Sequence, residues 1–360
     1  MRAGNLHGLA RIQCRCRQGT LGPILRFFFA VASLTILLAR CSILPGTSGL
    51  SGPTPTPATP AHLDVAYSAI SGGELPLWMT KQAGLFEQHG LDVSLQLIPG
   101  GNNSMAALLS GHVQIAEAGG SDALAADVNG ADVVVIATNE PVYPYELIVA
   151  PAIKTAADLR GKKLAAGARG SSGDVALRVA LRKLGLKPEQ EVAILSMQSR
   201  QTSATALINS AVQGVVDDPP DTLLLESSGF HPLFALADLQ LPASQTAIMV
   251  QRSWAAEHHD ILQAYVDARL AGFARARQDR SFGIEVLKQY FKSDDDEAMA
   301  VTYDYYVAKV IPAVPHVVPE QFNDALDELT RFNSDVRDFD VRIMLNDAFV
   351  KSAEERSLGR

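Results

Sequence analysis

The chain has 360 residues, a length that suits about two domains of ~150, and 47% of them are hydrophobic against 19% charged. That balance supplies sizeable cores and argues against disorder. The formal net charge is −8, and because residues 1–40 hold six Arg and no acid, the remainder stands at −14. So acidic a body argues against nucleic acid as a partner.

The first residues read as an address label. Arg2, Arg11, Arg15, Arg17 and Arg26 precede an apolar run from Phe27 to Ala39. Thirteen residues are too few to span a membrane, which takes ~20, and suit the core of a signal peptide. The run ends at Leu38-Ala39-Arg40-Cys41, which is similar to a bacterial lipobox and makes Cys41 the expected lipidation site. Arg40 stands where that pattern has a small residue, so plain cleavage and an uncleaved anchor stay open beside lipidation. Residues 42–61 are rich in Ser, Thr, Pro and Gly and read as a tether. No Cys follows Cys41, so the mature part can hold neither an intrachain disulfide nor a multi-Cys metal site.

The folded part opens with strand, loop, helix, strand. Leu63–Tyr67 reads as a strand and Ser71–Glu74 as a Gly-containing loop. Leu77, Trp78, Ala83, Leu85 and Phe86 then fit one face of a single short helix stopped by Gly90, and Leu91–Leu97 alternates as a strand. This is a βαβ unit, and it implies a parallel sheet with a crevice at the strand ends. Helices follow at 105–110 and 122–128, with strands at 113–116, 132–137 and 145–150. A second block repeats the grammar: a short Thr-capped helix at 155–159, strands at 162–166, 192–195 and 212–216, and helices at 174–184, 202–209 and 222–227. After a strand at 247–250 the chain reads helical, over 261–278, 284–291, 296–310, 320–332 and 343–355. The run Asp294–Glu297 reads as a solvated helix N-terminus.

Four stretches carry a family resemblance: Gly84-Leu85-Phe86 with Gly90-Leu91-Asp92-Val93; Met105–Gly111 leading into Val113–Ala116; Ala157–Leu164; and Ala180-Leu181 with Gly185-Leu186. Together they resemble the SsuA-like and thiamine-precursor-binding group of solute-binding proteins, which serve ABC importers of nitrate, sulfonates, taurine and thiamine precursors. The resemblance implies an α/β, type II periplasmic-binding-protein fold. Two lobes are joined by two hinge crossovers, near Glu140–Glu146 and Leu241–Met249, and a helical tail follows. Lobe one would take 62–143 plus 248–360, and lobe two 144–247. It also implies an extracytoplasmic, monomeric, non-enzymatic protein with no cofactor. Its partners would be a small solute, a permease and its ATPase, and the membrane through Cys41.

On that fold, loops at strand C-termini face the cleft. The expected ligand contacts are Gly72, Gly73, Glu74, Asn102, Asn103, Gly120, Ser121, Tyr145, Arg169, Gly170, Ser171, Ser172, Asp217 and Asp218. Arg169–Gly173 stands out, because two Ser and two Gly at a helix start can donate to an anion. The plainer reading of that loop is an N-cap with turn glycines. Asp217 and Asp218 would instead favour an amine or amidine, or form a solvated turn, so the signals are mixed and lean toward an organic, zwitterionic or aromatic solute. Trp78, Tyr67, Tyr143 and Tyr145 could stack on a ligand, with core packing the plainer role for Trp78. No metal-ligand spacing is present, since His258-His259 lacks a third ligand. The alternatives are a thiamine-pyrimidine synthase-like enzyme, for which no nucleophile–base pattern is visible, and a sensory binding lobe.

Overall fold

The computed structural model describes residues 59–197 and 199–358. The expected signal segment, Cys41 and most of the tether lie outside those residues. Ala61, read as the tether's last residue, begins the first strand.

Among the described residues the strands are β1 Ala61–Tyr67, β2 Leu91–Leu97, β3 Ile115–Ala118, β4 Val133–Thr138, β5 Glu146–Val149, β6 Lys163–Ala166, β7 Ala193–Ser196, β8 Gly214–Asp217, β9 His231–Ala235 and β10 Ala247–Gln251. They form two five-stranded sheets, ordered β2-β1-β3-β10-β4 and β7-β6-β8-β5-β9. In each, three strands run parallel (β1, β2 and β3; β6, β7 and β8). One antiparallel strand is inserted beside them: β10 between β3 and β4, and β5 between β8 and β9. The chain therefore changes sheet twice. The two connecting segments pair with each other: Asn139 N–H donates to Thr246 O at 2.7 Å, Gln245 N–H to Glu140 O at 3.0 Å and Ala243 N–H to Pro141 O at 2.9 Å. Two α/β lobes joined by two crossovers, with a helical C-terminal region, is the expected fold class.

The elements differ from the sequence reading in instructive places. The opening helix is two helices, Leu75–Gln82 and Leu85–Gln88, broken at Gly84 with φ +65°. That left-handed conformation suits Gly and interrupts the turn. Of the face read from sequence, Leu77, Trp78 and Phe86 are buried while Ala83 and Leu85 are partly exposed, and the Trp78 indole stacks on Tyr290 at 4.3 Å and stands edge-on to Tyr67 at 6.1 Å. β9 was missed. It is a partly exposed edge strand containing Pro232, which such an edge tolerates. In the tail, Asn323–Phe332 and Ala348–Glu355 are preceded by short 3-10 turns rather than continuous helix. Asp295 caps its helix by accepting from Ala298 N–H at 2.9 Å, the role read for that acidic run.

One buried ion pair ties the first lobe together. Glu117, on β3, meets Arg269 of the long helix His259–Gln278 in a two-pronged contact of 2.9 Å on each oxygen, with both side chains fully buried. Tyr265 Oη donates to Glu117 Oε1 at 2.6 Å, and Asn139 Nδ2 to Glu117 Oε2 at 2.6 Å. Arg269 also donates to Thr80 Oγ1 at 3.3 Å. Strand, long helix, opening helix and crossover thus share one polar node. Truncating one member of such a pair leaves a buried charge alone, at about 3–5 kcal/mol. Arg269→Met is expected to lower unfolding free energy by about that much in a urea titration, and a loss below ~1 kcal/mol would contradict the role given to this node.

Candidate functional site

Between the lobes lies a cavity of about 760 Å³. Its wall is built from the loops that follow the parallel strands of both sheets, where an open α/β sheet places its crevice. From the first sheet come Ser68–Ser71 and Glu74 after β1, Pro99–Asn103 after β2, and Gly119 and Asp122 after β3. From the second come Gly167, Ala168 and Ser171–Gly173 after β6, Ser199–Gln201 after β7, and Asp218 after β8. Glu140, Tyr145, Gln245 and Thr246 close the wall at and beside the crossovers.

Hydroxyls connect the two sides. Ser71 Oγ lies 2.8 Å from Tyr306 Oη and donates toward Asp218 Oδ1 at 3.4 Å. Ser121 Oγ lies 3.2 Å from Ser172 Oγ, and Ser172 Oγ donates to Gln245 O at 3.4 Å.

The wall is dominated by carboxyl groups. Arg200 opens the helix Arg200–Ile208, which is capped by Ser199, and its guanidinium pairs with Asp218 and lies 3.6 Å from Asp217. It also sits over the Tyr145 ring, 5.9 Å from the centroid. Burial pushes the carboxyls of Asp122 and Glu140 up to about 7, opposed at Glu140 by the hydrogen bond from Thr246. Asp217 is pushed up to about 7 by burial, with Arg200 opposing. Glu74 is raised well above the usual range, chiefly by burial and then by the charges of Glu117 and Glu140.

Several glycines exist here to let backbone and carboxylates approach. A Cβ at Gly73 would collide with the Glu140 carboxylate, one at Gly101 with Asp122, and one at Gly119 with Ser172 and Asp122.

Of the residues named from sequence, Glu74, Asn102, Asn103, Tyr145, Ser171, Ser172 and Asp218 line the cavity. Gly72, Gly73, Gly120 and Ser121 stand behind the wall. Gly72 packs on Tyr306, Gly73 on Glu140 and Gly120 on Ser244. Asp217 lies beneath Arg200. Arg169 is turned toward Glu189 at 3.2 Å and the Phe332 ring at 4.7 Å, and Gly170 N–H donates to Asp174 at 2.9 Å, which takes the donor once offered to an anion. Trp78 is in the core, and Tyr143 is buried with its hydroxyl donating to Asp324 at 2.9 Å. The sequence reading passed over Asp122, Glu140, Arg200 and Gln245. Arg200 was findable, because it follows β7 as the Gly101 loop follows β2.

The raised carboxyls have a sign. A carboxyl whose folded-state pKa exceeds its unfolded value supports the fold below about 4, and that support is lost as pH rises through about 7. Asp122, Glu140 and Asp217 all act in this direction. Asp122→Asn removes one such group, so its melting temperature is expected to exceed wild type by about 3–6 °C at pH 8 and to fall less between pH 5 and 8, given about 2–4 °C per kcal/mol at this size. Parallel melting curves for the two proteins across that range would contradict the assignment.

Residues 74–280, more than half of the chain, match the family model described as NMT1/THI5 like. A binding protein of Brucella abortus (strain 2308) is 32% identical over 142 residues, 39% of this chain and 44% of the relative, so the match spans less than half of that relative's length. The alkanesulfonate-binding protein SsuA of Xanthomonas axonopodis pv. citri, solved with MOPS, shares the fold at a TM-score of 0.65 and 22% identity, over 82% of this chain and 98% of that one. The desulfurization enzyme DSZB shares it too, at a TM-score of 0.61 and 14% identity, over 82% and 99%. At such identities these structures speak to the fold alone. The family match takes in every strand but β1 and most of the cavity wall, and the chain belongs to the NMT1/THI5-like family.

Proposed function

We propose that the protein is the extracytoplasmic solute-binding component of an ABC importer, which captures a small organic solute between its lobes and delivers it to a permease with its ATPase. One observation carries this reading: an inter-lobe cavity walled by the strand-end loops of both sheets and by the crossovers that join them. Such a site can only form when the lobes meet, so closing on a solute and signalling occupancy become the same event. The similar SsuA protein binds an alkanesulfonate, and the Brucella relative is a binding protein, which supports capture as the shared activity. Among the described residues no His or Cys lines the cavity, and its hydroxyls bond to one another, to backbone or to carboxylates. That favours capture over catalysis, although DSZB shares the fold.

The residues proposed to contact the solute are Glu74, Asn102, Asn103, Asp122, Glu140, Tyr145, Ser171, Ser172, Arg200, Asp218 and Gln245. A lipid on Cys41 would hold the lobes at the membrane through the tether beyond it, as a monomer. No helix among the described residues is long and apolar enough to cross a membrane.

Protein purified from its producing cells is expected to carry a small non-covalent mass in native mass spectrometry, and to lose it on unfolding and refolding. An empty protein that also fails to co-purify with a permease and its ATPase would remove the transport reading.

A further inference from the structure

The deeply buried side chains of the cavity wall are mostly carboxyls. Glu74, Asp122, Glu140 and Asp218 line it, and each is at most 5% exposed. Among the described residues Arg200 is the one cation on that wall, and Asp218 and Asp217 already engage it. Glu140 accepts one hydrogen bond, from Thr246 Oγ1 at 2.8 Å. Three further oxygens are buried and accept no bond from the chain: Glu74 Oε2, Asp122 Oδ1 and Gln245 Oε1. They come from three separate places, the loops after β1 and β3 and the second crossover, and Gln245 belongs to no acidic cluster. Buried acceptors are ordinarily satisfied. Where these carboxyls are ionised, the missing donors have to come from whatever enters.

We propose that the cavity takes an organic cation whose head group carries several N–H donors, an amidinium or guanidinium compound, and discriminates against sulfonates and nitrate. This rests on the solute-capture reading and specifies its solute. A planar amidinium or guanidinium offers four or five N–H bonds in a fixed fork, which can reach acceptors on different walls at once. A sulfonate would bring its negative charge and three more acceptors beside four buried carboxyls and a guanidinium already engaged by Asp218 and Asp217. The Tyr145 ring and the side chains of Ile70, Leu97 and Pro99 supply apolar surface for the rest of the molecule.

Benzamidine, benzamide and benzenesulfonate share one ring and differ in head-group charge and donors, so their ranking on the wild-type protein tests the proposal without a variant. By calorimetry and thermal shift at pH 8, benzamidine is expected to bind at least tenfold tighter than the other two. Asp122→Asn and Glu140→Gln are each expected to weaken benzamidine at least fivefold with circular dichroism unchanged. Benzenesulfonate or benzamide binding as tightly as benzamidine, or no response to any of the three, would overturn the cation assignment. Neither result touches the solute-capture reading, which stands or falls on the native mass measurement and the permease co-purification. A bound mass identified there as a sulfonate would sink the cation and keep the capture.

Discussion

The first lobe depends on the Glu117–Arg269 pair. Taking two charges out of water is costly, and the cost is recovered only when geometry and additional hydrogen bonds satisfy both. Here the pair is two-pronged, and Tyr265, Asn139 and Thr80 fill the remaining positions. Because those partners lie on β3, the long helix, the opening helix and the first crossover, none can shift without exposing the charge. Gly119 of the cavity wall is two residues beyond Glu117, and Asn139 is next to Glu140. The positions of two wall segments are therefore set by a node that never touches solvent. Arg269 also acts on the wall at a distance, since its positive charge opposes the rise at Glu74.

Fixing the wall in this way makes its carboxyls hard to escape. A flexible loop would let Glu74, Asp122 and Glu140 turn to water. Gly73 instead brings the backbone against Glu140, and Gly101 and Gly119 against Asp122, leaving no room even for a Cβ. From sequence, Gly73 is an expected ligand contact. In the structure it is the space that glycine leaves which matters, and Glu140 occupies it. That strain on charge is stored at the site, as buried polar groups at functional sites often are.

What could be read from sequence was what depends on local pattern. β1, β2, β4, β6 and β8 follow from alternation or short apolar runs between turn residues, and the two-lobe arrangement from the order of blocks with the family resemblance. The breaks were less legible. Gly84 sits inside an otherwise continuous apolar face, and only its neighbours decide that it turns left-handed. β9 has no alternating burial to announce it, because it is an edge with intermediate exposure throughout most of its length. At the site, residues in glycine-rich loops were found because turns have a vocabulary. Asp122, Glu140 and Gln245 were not, because their importance comes from what the fold fails to place opposite them. Arg169 stands out for its charge and its loop, and it faces Glu189 and Phe332 because the helix Asn323–Phe332 lies over that side of the second lobe.

That helix bears on how the lobes come together. It packs against both Gly120–Val128 of the first lobe and Ser172–Lys183 of the second. Its Glu328 is buried against Arg182 and lies 3.9 Å from Arg178, which also pairs with Asp174 at 2.9 Å. Asp324 accepts from Tyr143 of the crossover at 2.9 Å. Contacts that hold the lobes together therefore exist outside the cavity, independent of any solute. A ligand shifts an opening equilibrium only by its differential affinity for the two states. In the proposed capture, micromolar affinity corresponds to about 8 kcal/mol in all, and the share contributed by the helix Asn323–Phe332 needs no ligand. The solute's own task is then narrower. On the proposed reading it would supply the donors that Glu74 Oε2 and Asp122 Oδ1 lack within the chain and that the engaged Arg200 does not provide.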